Sequence, residues 1–421
     1  VSSDNLKIVC DPWIGRMEGT STWSFPNIGS NKGILNKLKP KLIYISHLHS
    51  DHYDESVLRK YKNKDVKIII KKFPDGRLKQ KLKFLGYKNI VEIKPWKSYN
   101  FHNFEFTIIP SDESNTSGIK TKIFYDLDTS IIIYDKKNKI CFYNNVDNPL
   151  SIKSIKKVQK IAKKKYNGID VACVGPRAAS EYPQCFLKIN RKKEKKRIIK
   201  KTFDRAFKIL KILKVKNFIP AGGAFHITGK FSPLQKYVAH PKEKEIELYF
   251  KSKKINVLNI DNCGEIKITK NKKFLYSKKS KSITEKDIKY LKSLKSDHEK
   301  VKVNLNLSKI FNKAKKRYLF FKNKFKLNFS YQIKFFAYKS LKINKNGNIV
   351  KKKYKVFELF PNAKTVKYLL EVHIDERLLY LCLINKSNWN MSMGGSNMMF
   401  FRKPNKFIPD ISSSLNFLRA K

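Results

Sequence analysis

The 421-residue chain lacks the features that mark membrane proteins and disulfide-rich proteins. No apolar run approaches the roughly 20 residues that a membrane-spanning helix needs. The six cysteines are scattered, with no C-x-x-C pair and no zinc-finger spacing, so neither a disulfide framework nor a cysteine-based zinc site is predicted. We recognise no secretory signal in the sequence. These absences favour a globular protein in a reducing, cytoplasmic setting.

Acidic residues and arginine are scarce beside lysine. Lys and Arg number 92 against 34 Asp and Glu, which gives a formal charge of +58, and only 11 of the 92 are arginine. The excess is either the solvated surface of a compositionally biased chain or a field that attracts an anion. Because bidentate recognition of bases and phosphates favours arginine, we expect a small anionic substrate rather than nucleic acid.

Strands that recur between helices predict an α/β layered sandwich. Residues 42–45 form a short apolar run typical of a buried strand, and residues 131–134 and 140–143 are predicted to form a hairpin. Residues 152–164 and 194–213 show the periodicity of amphipathic helices. We expect these helices to cover a sheet.

The lysine-rich stretch 267–281 is the predicted domain boundary. It separates a domain over residues 1–270 from a smaller α+β domain over residues 281–421. The second domain opens with a capping box formed by Thr284 and Asp287. Because the chain starts at a valine and soon enters a strand-like segment, we also expect a partner strand to precede residue 1.

The segment 46–52, Ser-His-Leu-His-Ser-Asp-His, follows the first buried strand and holds three of the eight histidines. His47 and His49 are two residues apart, so on an extended segment their imidazoles project to the same side. Asp51 and His52 lie on the turn into the next helix, which Asp54 can cap. Imidazole and carboxylate groups suit zinc, iron or manganese, so the segment predicts a site for one or two metal ions.

The pattern H-x-H-x-D-H resembles the metallo-β-lactamase superfamily. The resemblance implies an αββα sandwich in which His47 and His49 bind one ion while Asp51 and His52 bind a second. By position, Asp147 would bridge the two ions; the alternative is a turn residue before a proline. His226 is the candidate for the last ligand, with a polar loop residue as the alternative.

Further segments narrow the resemblance to the family of CMP-N-acetylneuraminate hydroxylase and related sugar-nucleotide hydroxylases. They are Asp11-Pro12-Trp13, residues 128–132, Ala178-Ala179-Ser180, Asn388-Trp389-Asn390 and residues 400–404. The resemblance implies iron, and insertion of oxygen into the N-acyl group of a nucleotide sugar. It also implies electrons from a Rieske iron-sulfur cluster, whose ligands do not occur in this sequence, so that the cluster would lie on a missing segment or on a partner.

One residue departs from the family pattern, and one group of residues has two possible roles. Phe124 stands where the family has a histidine for the first ion, with Asp126 and Asp128 nearby. After a predicted strand, Arg177, Ser180 and Tyr182 form a candidate substrate-binding group. The alternative is a structural surface role for all three.

Three functional hypotheses follow. The leading hypothesis is the hydroxylase component for an N-acyl sugar nucleotide. The second is a metal-dependent hydrolase of an ester, amide or phosphodiester, in which zinc acidifies a water molecule and Asp51 is the catalytic residue that either orients the nucleophile or takes its proton. The third is a non-catalytic binding protein that has lost a complete metal site.

Overall fold

A computed structural model describes most of the chain. The described residues are 1–3, 5–17, 22–23, 33–112, 128–222, 225–260, 264–269, 271–278, 283–302, 306–327, 330–350, 353–360 and 366–420. None of the helices in these ranges has the length and apolar character that crossing a bilayer requires.

The described strands are β1 Ser2–Ser3, β2 Leu6–Cys10, β3 Thr22–Trp23, β4 Leu42–Tyr44, β5 Lys67–Lys71, β6 Ile90–Ile93, β7 Ser98–Phe101, β8 Phe104–Pro110, β9 Thr129–Asp135, β10 Ile140–Asn144, β11 Val171–Val174, β12 Asn217–Pro220, β13 His226–Ile227, β14 Asn256–Val257, β15 Glu265–Ile268, β16 Phe274–Lys278, β17 Tyr331–Tyr338, β18 Tyr354–Leu359, β19 Tyr368–Asp375 and β20 Met399–Lys403. The described α-helices are α1 Ile34–Leu38, α2 Glu55–Lys60, α3 Arg77–Phe84, α4 Ile152–Tyr166, α5 Arg191–Leu213, α6 Glu243–Lys251, α7 Glu285–Ser293, α8 Leu307–Lys324, α9 Glu376–Leu383, α10 Trp389–Gly394 and α11 Pro409–Ser414.

Two sheets face each other in the first half of the chain. One has the order β1-β2-β4-β5-β6, and the other has the order β14-β12-β11-β10-β9-β8-β7. Ile8 and Tyr44 of the first sheet share a buried cluster with Phe106 and Ile133 of the second. The apolar faces of α2 and α3 cover the first sheet, and those of α4, α5 and α6 cover the second. The α/β layered sandwich is therefore confirmed.

A second region follows, built on the sheet β18-β17-β19-β20. Its core takes side chains from α8, α9 and α10, and it also includes Phe186 and Phe231 from the first half of the chain. The stretch 267–281 overlaps the hairpin of β15 and β16. The division at residues 270 and 281 therefore stays a prediction.

Asp375, at the end of β19, connects the two halves. Its side chain is fully buried. One carboxylate oxygen accepts a hydrogen bond from Arg377 Nε at 2.8 Å, and the other accepts from Arg377 Nη2 at 2.8 Å and from Lys230 Nζ at 3.2 Å. Because Lys230 belongs to the first half, this buried carboxylate ties the second sheet to the sandwich.

We expect Asp375→Asn to lower the free energy of unfolding by about 3 kcal/mol, because the substitution leaves two cations beside a neutral amide in a buried position. Urea unfolding measures the change. The matched control is Glu358→Gln, which removes a half-exposed partner of Lys334 and should cost less than about 1 kcal/mol. Equal losses in the two variants would contradict a special role for Asp375.

Candidate metal centre

The ends of strands from both sheets bring the predicted ligands together. Strands β2 and β4 are parallel, so the residues that follow them, Asp11 and the segment 45–54, leave the same edge of the first sheet. In the second sheet β9 runs antiparallel to β10. The residue before β9, Asp128, therefore lies near Asp147, which follows β10.

Ser46 fixes the orientation of His47. Its hydroxyl donates to Asp11 Oδ2 at 2.8 Å and lies 2.9 Å from His47 Nδ1. Because the single hydroxyl proton goes to the carboxylate, His47 Nδ1 is the donor in the second contact. The lone pair of His47 Nε2 is then directed toward the centre of the site, where His49 Nδ1 lies 3.0 Å away.

Asp11 plays the same part for His52. Its Oδ2 lies 3.0 Å from His52 Nδ1, and its Oδ1 accepts from the backbone N–H of Ser46 at 2.7 Å. His52 Nε2 consequently faces Asp147 Oδ2 at 3.2 Å and Asp51 Oδ2 at 3.6 Å. Carboxylates that hold the remote nitrogen of an imidazole in this way are typical neighbours of metal-binding histidines.

Thr129 and Tyr44 hold Asp128 against the histidines. Thr129 Oγ1 donates to the Ser46 carbonyl oxygen at 2.9 Å and lies 2.6 Å from the Tyr44 hydroxyl, which is therefore the donor in that contact. Both residues are fully buried. This bridge between the sheets places Asp128 Oδ1 3.5 Å from His47 Nε2.

Two groups of ligand atoms result. His47, His52 and Asp147 form one, and His47, His49 and Asp128 form the other, with the atoms of each group within 4.8 Å of one another. Ligands bound about 2.1 Å from one ion at angles of 90–109° lie about 3.0 to 3.4 Å apart. The separations of 3.0, 3.2 and 3.5 Å in these groups fit such ions.

The electrostatics of the site also fit a cation. Burial, reinforced by Asp147, raises the pKa of Asp128 to about 7. Burial lowers the pKa of His52, but the carboxylates of Asp51, Asp11 and Asp147 outweigh it and raise that pKa well above the usual imidazole range. Protons are thus retained where carboxylates crowd together, and a divalent ion would supply the same positive charge.

Asn390 comes from the second region and reaches the same site. Its Nδ2 lies 3.2 Å from His49 Nε2. When His49 binds a cation through Nδ1, its Nε2 carries the proton and needs an acceptor. A half-turn of the amide, whose oxygen and nitrogen are nearly isosteric, presents Oδ1 to that proton. Asn390 is therefore placed to fix the His49 ring.

The remaining predicted site residues lie elsewhere or are engaged in the chain. His226 is in β13, opposite Trp23, and belongs to neither ligand group found among the described residues. Arg177 Nη1 donates to the Pro220 carbonyl oxygen at 2.6 Å. Phe124 and Asp126 lie outside the described residues.

Ser180 and Tyr182 also make contacts within the chain. Ser180 Oγ donates to the Tyr182 carbonyl oxygen at 3.1 Å. The Tyr182 hydroxyl donates to Glu194 Oε2 at 2.7 Å and accepts from Asn405 Nδ2. These bonds hold the loop after β11 in place.

Sequence reasoning alone does not assign three residues of this centre, namely Asp11, Asp128 and Asn390. A signal for Asp11 is the Asp-Pro-Trp triplet directly after a strand, where a carboxylate would face the loop after the neighbouring parallel strand. Asp128 directly precedes β9 and lies four residues after Phe124, the position at which the family resemblance leads one to seek a histidine. No local signal identifies Asn390, since it lies 341 residues from His49 in the chain.

The first part of the chain is similar in sequence to known proteins. A family model described as "Beta-lactamase superfamily domain" matches residues 1–163. A Mycobacterium tuberculosis protein named as a Rieske 2Fe-2S iron-sulfur protein is 37% identical over 86 residues, which are 20% of this chain and only 16% of that protein. The family match includes every residue of the two ligand groups, whereas His226 and Asn390 lie beyond it.

Two solved structures are also similar. CmlA, described as a diiron β-hydroxylase from Streptomyces venezuelae, gives a TM-score of 0.34 at 13% identity, covering 51% of this chain and 42% of its own. A possible metal-dependent hydrolase from Veillonella parvula gives a TM-score of 0.39 at 12% identity, covering 62% of this chain and 91% of its own.

Replacing Asp11 by Asn should weaken metal binding roughly 10- to 100-fold at the position of His47, His52 and Asp147. The amide would turn a donor toward either Ser46 or His52, so the imidazole would lose its fixed orientation. Cobalt(II) titration followed by visible absorption measures each metal equivalent. The exposed Asp65→Asn serves as the control. Unchanged affinity in Asp11→Asn would rule out this orienting role.

For Asn390, we expect Leu and Asp substitutions to differ. Asn390→Leu removes the acceptor for His49 Nε2–H and should lower affinity about tenfold at the position of His47, His49 and Asp128. Asn390→Asp keeps an acceptor and should retain binding. The same cobalt titration distinguishes them, and equal behaviour of the two variants would show that Asn390 only fills space.

Proposed function

We propose that the protein is a metal-dependent enzyme, specifically the iron-dependent hydroxylase component that acts on an N-acyl sugar nucleotide. The match of residues 1–163 to the model described as "Beta-lactamase superfamily domain" supports the proposal. His47, His49, Asp51, His52, Asp128 and Asp147 are the proposed ligands.

The observation that carries the proposal is the composition of the two ligand groups. Each consists of two imidazoles and one carboxylate, and His47 belongs to both. Because His47 has one free ring nitrogen, it completes the set of only one ion at a time. A set of two histidines and one carboxylate with open positions is the arrangement that non-haem iron(II) oxygenases use. Asp128 completes the second set, so the position of Phe124 does not leave the site without a third ligand. We therefore favour iron over zinc.

Bound iron would activate dioxygen for the insertion of one oxygen atom into a C–H bond. In the overall reaction the second oxygen atom leaves as water, with two protons and two electrons supplied from outside the substrate. The chain's own residues keep the ligands in position. Asp11 and Ser46 orient two imidazoles. Thr129 anchors the segment that bears Asp128, and Asn390 contacts the His49 ring. In this proposal Asp51, whose Oδ2 lies 3.6 Å from His52 Nε2, holds the second ion beside His52.

The substrate and the electron donor follow from the hydroxylase resemblance. Excess positive charge favours an anionic substrate such as a nucleotide sugar. A stretch of 86 residues of this chain is similar to a protein that is named for a Rieske cluster. This similarity supports a Rieske-type electron donor, either on a neighbouring segment or on a partner. Arg177, Ser180 and Tyr182 stay the candidate substrate-binding group, and the bonds that they make within the chain would hold them in position in the loop after β11.

The reaction can be tested by incubating the iron-loaded protein with CMP-N-acetylneuraminate, dioxygen and a reduced Rieske protein. We expect mass spectrometry to show a product that has gained one oxygen atom, because dioxygen and two electrons balance this change. His49→Ala should reduce the rate by roughly 100-fold or more, since it removes a direct ligand. The exposed His102→Asn is the control and should leave the rate unchanged.

The second candidate is a hydrolase, since the same imidazoles and carboxylates also suit zinc, whose bound water is acidified to a pKa near 7. Asp51 would then orient the attacking water. Cleavage of the nucleotide sugar by zinc-loaded protein, with no gain of oxygen by iron-loaded protein, would replace the hydroxylase proposal by this one. No turnover with either metal would favour a binding protein.

A further inference from the structure

The end of α8 carries a group of phenylalanines that is open to solvent. Phe320 is 64% exposed, and its ring centroid lies 5.3 Å from that of Phe321. Phe417 stacks on Phe321 at 4.5 Å and packs against Phe325 at 5.2 Å. Phe321, Phe325 and Phe417 are themselves only half-buried. These four residues, the aromatic cluster, therefore form an apolar surface of which Phe320 is the most exposed member.

Lysines flank Phe320 on the solvent face of α8. Because an α-helix has 3.6 residues per turn, positions 313, 316, 320 and 324 lie on one face, opposite the buried face of the helix. Lys313, Lys316 and Lys324 are exposed. Within the described ranges none of the three forms an ion pair. These residues, the lysine stripe, therefore place uncompensated positive charge on both sides of Phe320.

Acidic residues are absent from this part of the sequence. Residues 300–357 hold 18 Lys and Arg but no Asp or Glu, in a chain that has 34 acidic residues. No carboxylate close in sequence therefore offsets the charge of the lysine stripe. The end of α8 thus combines exposed apolar rings with a positive field, a combination that favours an anionic partner with an apolar part.

A second exposed phenylalanine lacks this combination, although the whole chain is rich in lysine. Phe84, at the end of α3, is 79% exposed. Arg59 lies 6.0 Å from its ring centroid, but the Arg59 guanidinium donates to Glu55 Oε1 at 2.6 Å, and Lys81 Nζ lies 3.9 Å from Glu55 Oε2. The cations near Phe84 are thus paired with a carboxylate. Since isolated exposed apolar side chains are ordinary, Phe84 serves as the matched control.

Charge complementarity and ring geometry indicate which partner fits this surface. A second copy of the chain would bring two lysine stripes together, which the charge of +58 on each chain opposes. A nucleic-acid strand stacks its bases on open aromatic faces, but Phe321 and Phe417 cover each other. A bilayer with anionic lipids matches both features, because its acyl boundary accepts the rings while the long lysine side chains reach its phosphates.

We infer that the aromatic cluster and the lysine stripe dock the protein on the surface of a bilayer that contains anionic lipids. Phe320 would enter the boundary between headgroups and acyl chains, and the lysine stripe would contact the headgroup phosphates. The contact is peripheral, since no helix among the described residues is suited to span a membrane. It does not depend on the proposed reaction, because it needs neither metal nor substrate.

Co-sedimentation of the full chain with vesicles tests the inference. We expect tight binding to phosphatidylcholine vesicles that contain about 30% phosphatidylserine, and at least tenfold weaker binding to pure phosphatidylcholine. Phe320→Ser should weaken binding about tenfold, because the inserted ring is lost. Phe320→Trp should retain binding, since an indole also partitions into the bilayer interface.

The lysine stripe is tested by replacing its three residues together with Gln. Each lysine near an anionic surface contributes about fivefold to binding, so the triple variant should bind roughly 100-fold more weakly. The matched control replaces three exposed lysines of α4 with Gln, namely Lys156, Lys160 and Lys164. It removes the same charge far from Phe320 and should change binding less than about twofold, because salt screens distant charges. Phe84→Ser should leave binding unchanged, and thermal unfolding checks that every variant is folded.

No binding to the anionic vesicles, or equal binding to both kinds of vesicle, would overturn the inference. Equal losses in the two triple lysine variants would also overturn it, because net charge alone would then explain the binding, and so would equal losses in Phe320→Ser and Phe84→Ser. If Phe320→Ser does not fold, the two triple variants decide the question. A dimer, or binding of a single-stranded oligonucleotide, that Phe320→Ser abolishes while vesicles are not bound would assign the surface to that other partner.

Discussion

The carboxylate of Asp11 is the contact on which the ligand loop depends. It receives the backbone N–H and the hydroxyl of Ser46 and also faces His52 Nδ1. One side chain thereby sets the start of the loop, the tautomer of His47 through Ser46, and the ring orientation of His52. Without this carboxylate, the hydrogen bonds that direct the free ring nitrogens of His47 and His52 toward a common centre would be lost. Residues that are not themselves ligands therefore set the positions of the ligands.

The fold explains why ligands that are distant in sequence meet. The first sheet supplies the histidines, the second supplies Asp128 and Asp147, and the buried bridge from Tyr44 through Thr129 to Ser46 fastens the two sheets where the ligands converge. The second region then adds Asn390. Since Asp375 anchors this region to Lys230, the sandwich and the α+β region act together in shaping the site.

Local signals in the sequence account for what can be predicted. Asp54 accepts hydrogen bonds from two N–H groups at the start of α2, and Thr284 forms its capping box with Asp287, because capping depends on neighbours a few residues away. The four candidate ligands between residues 47 and 52 likewise lie close together in the sequence. Local signals do not predict Asp128 and Asn390. Strand pairing places Asp128 at the site, and the packing of a helix distant in sequence places Asn390 there. Helix α8 is also not predicted. Adjacent apolar and aromatic residues near its end lie on more than one face of the helix, so the amphipathic pattern is weak.

The central claim is that His47, His49 and His52, together with the carboxylates of Asp128 and Asp147, hold redox-active iron. Elemental analysis of protein purified without oxygen tests it most directly, with iron, zinc and manganese each measured per chain. We predict about one to two iron atoms per chain and little zinc. Zinc as the sole bound metal, or less than about 0.1 metal ion of any kind per chain, would contradict the account.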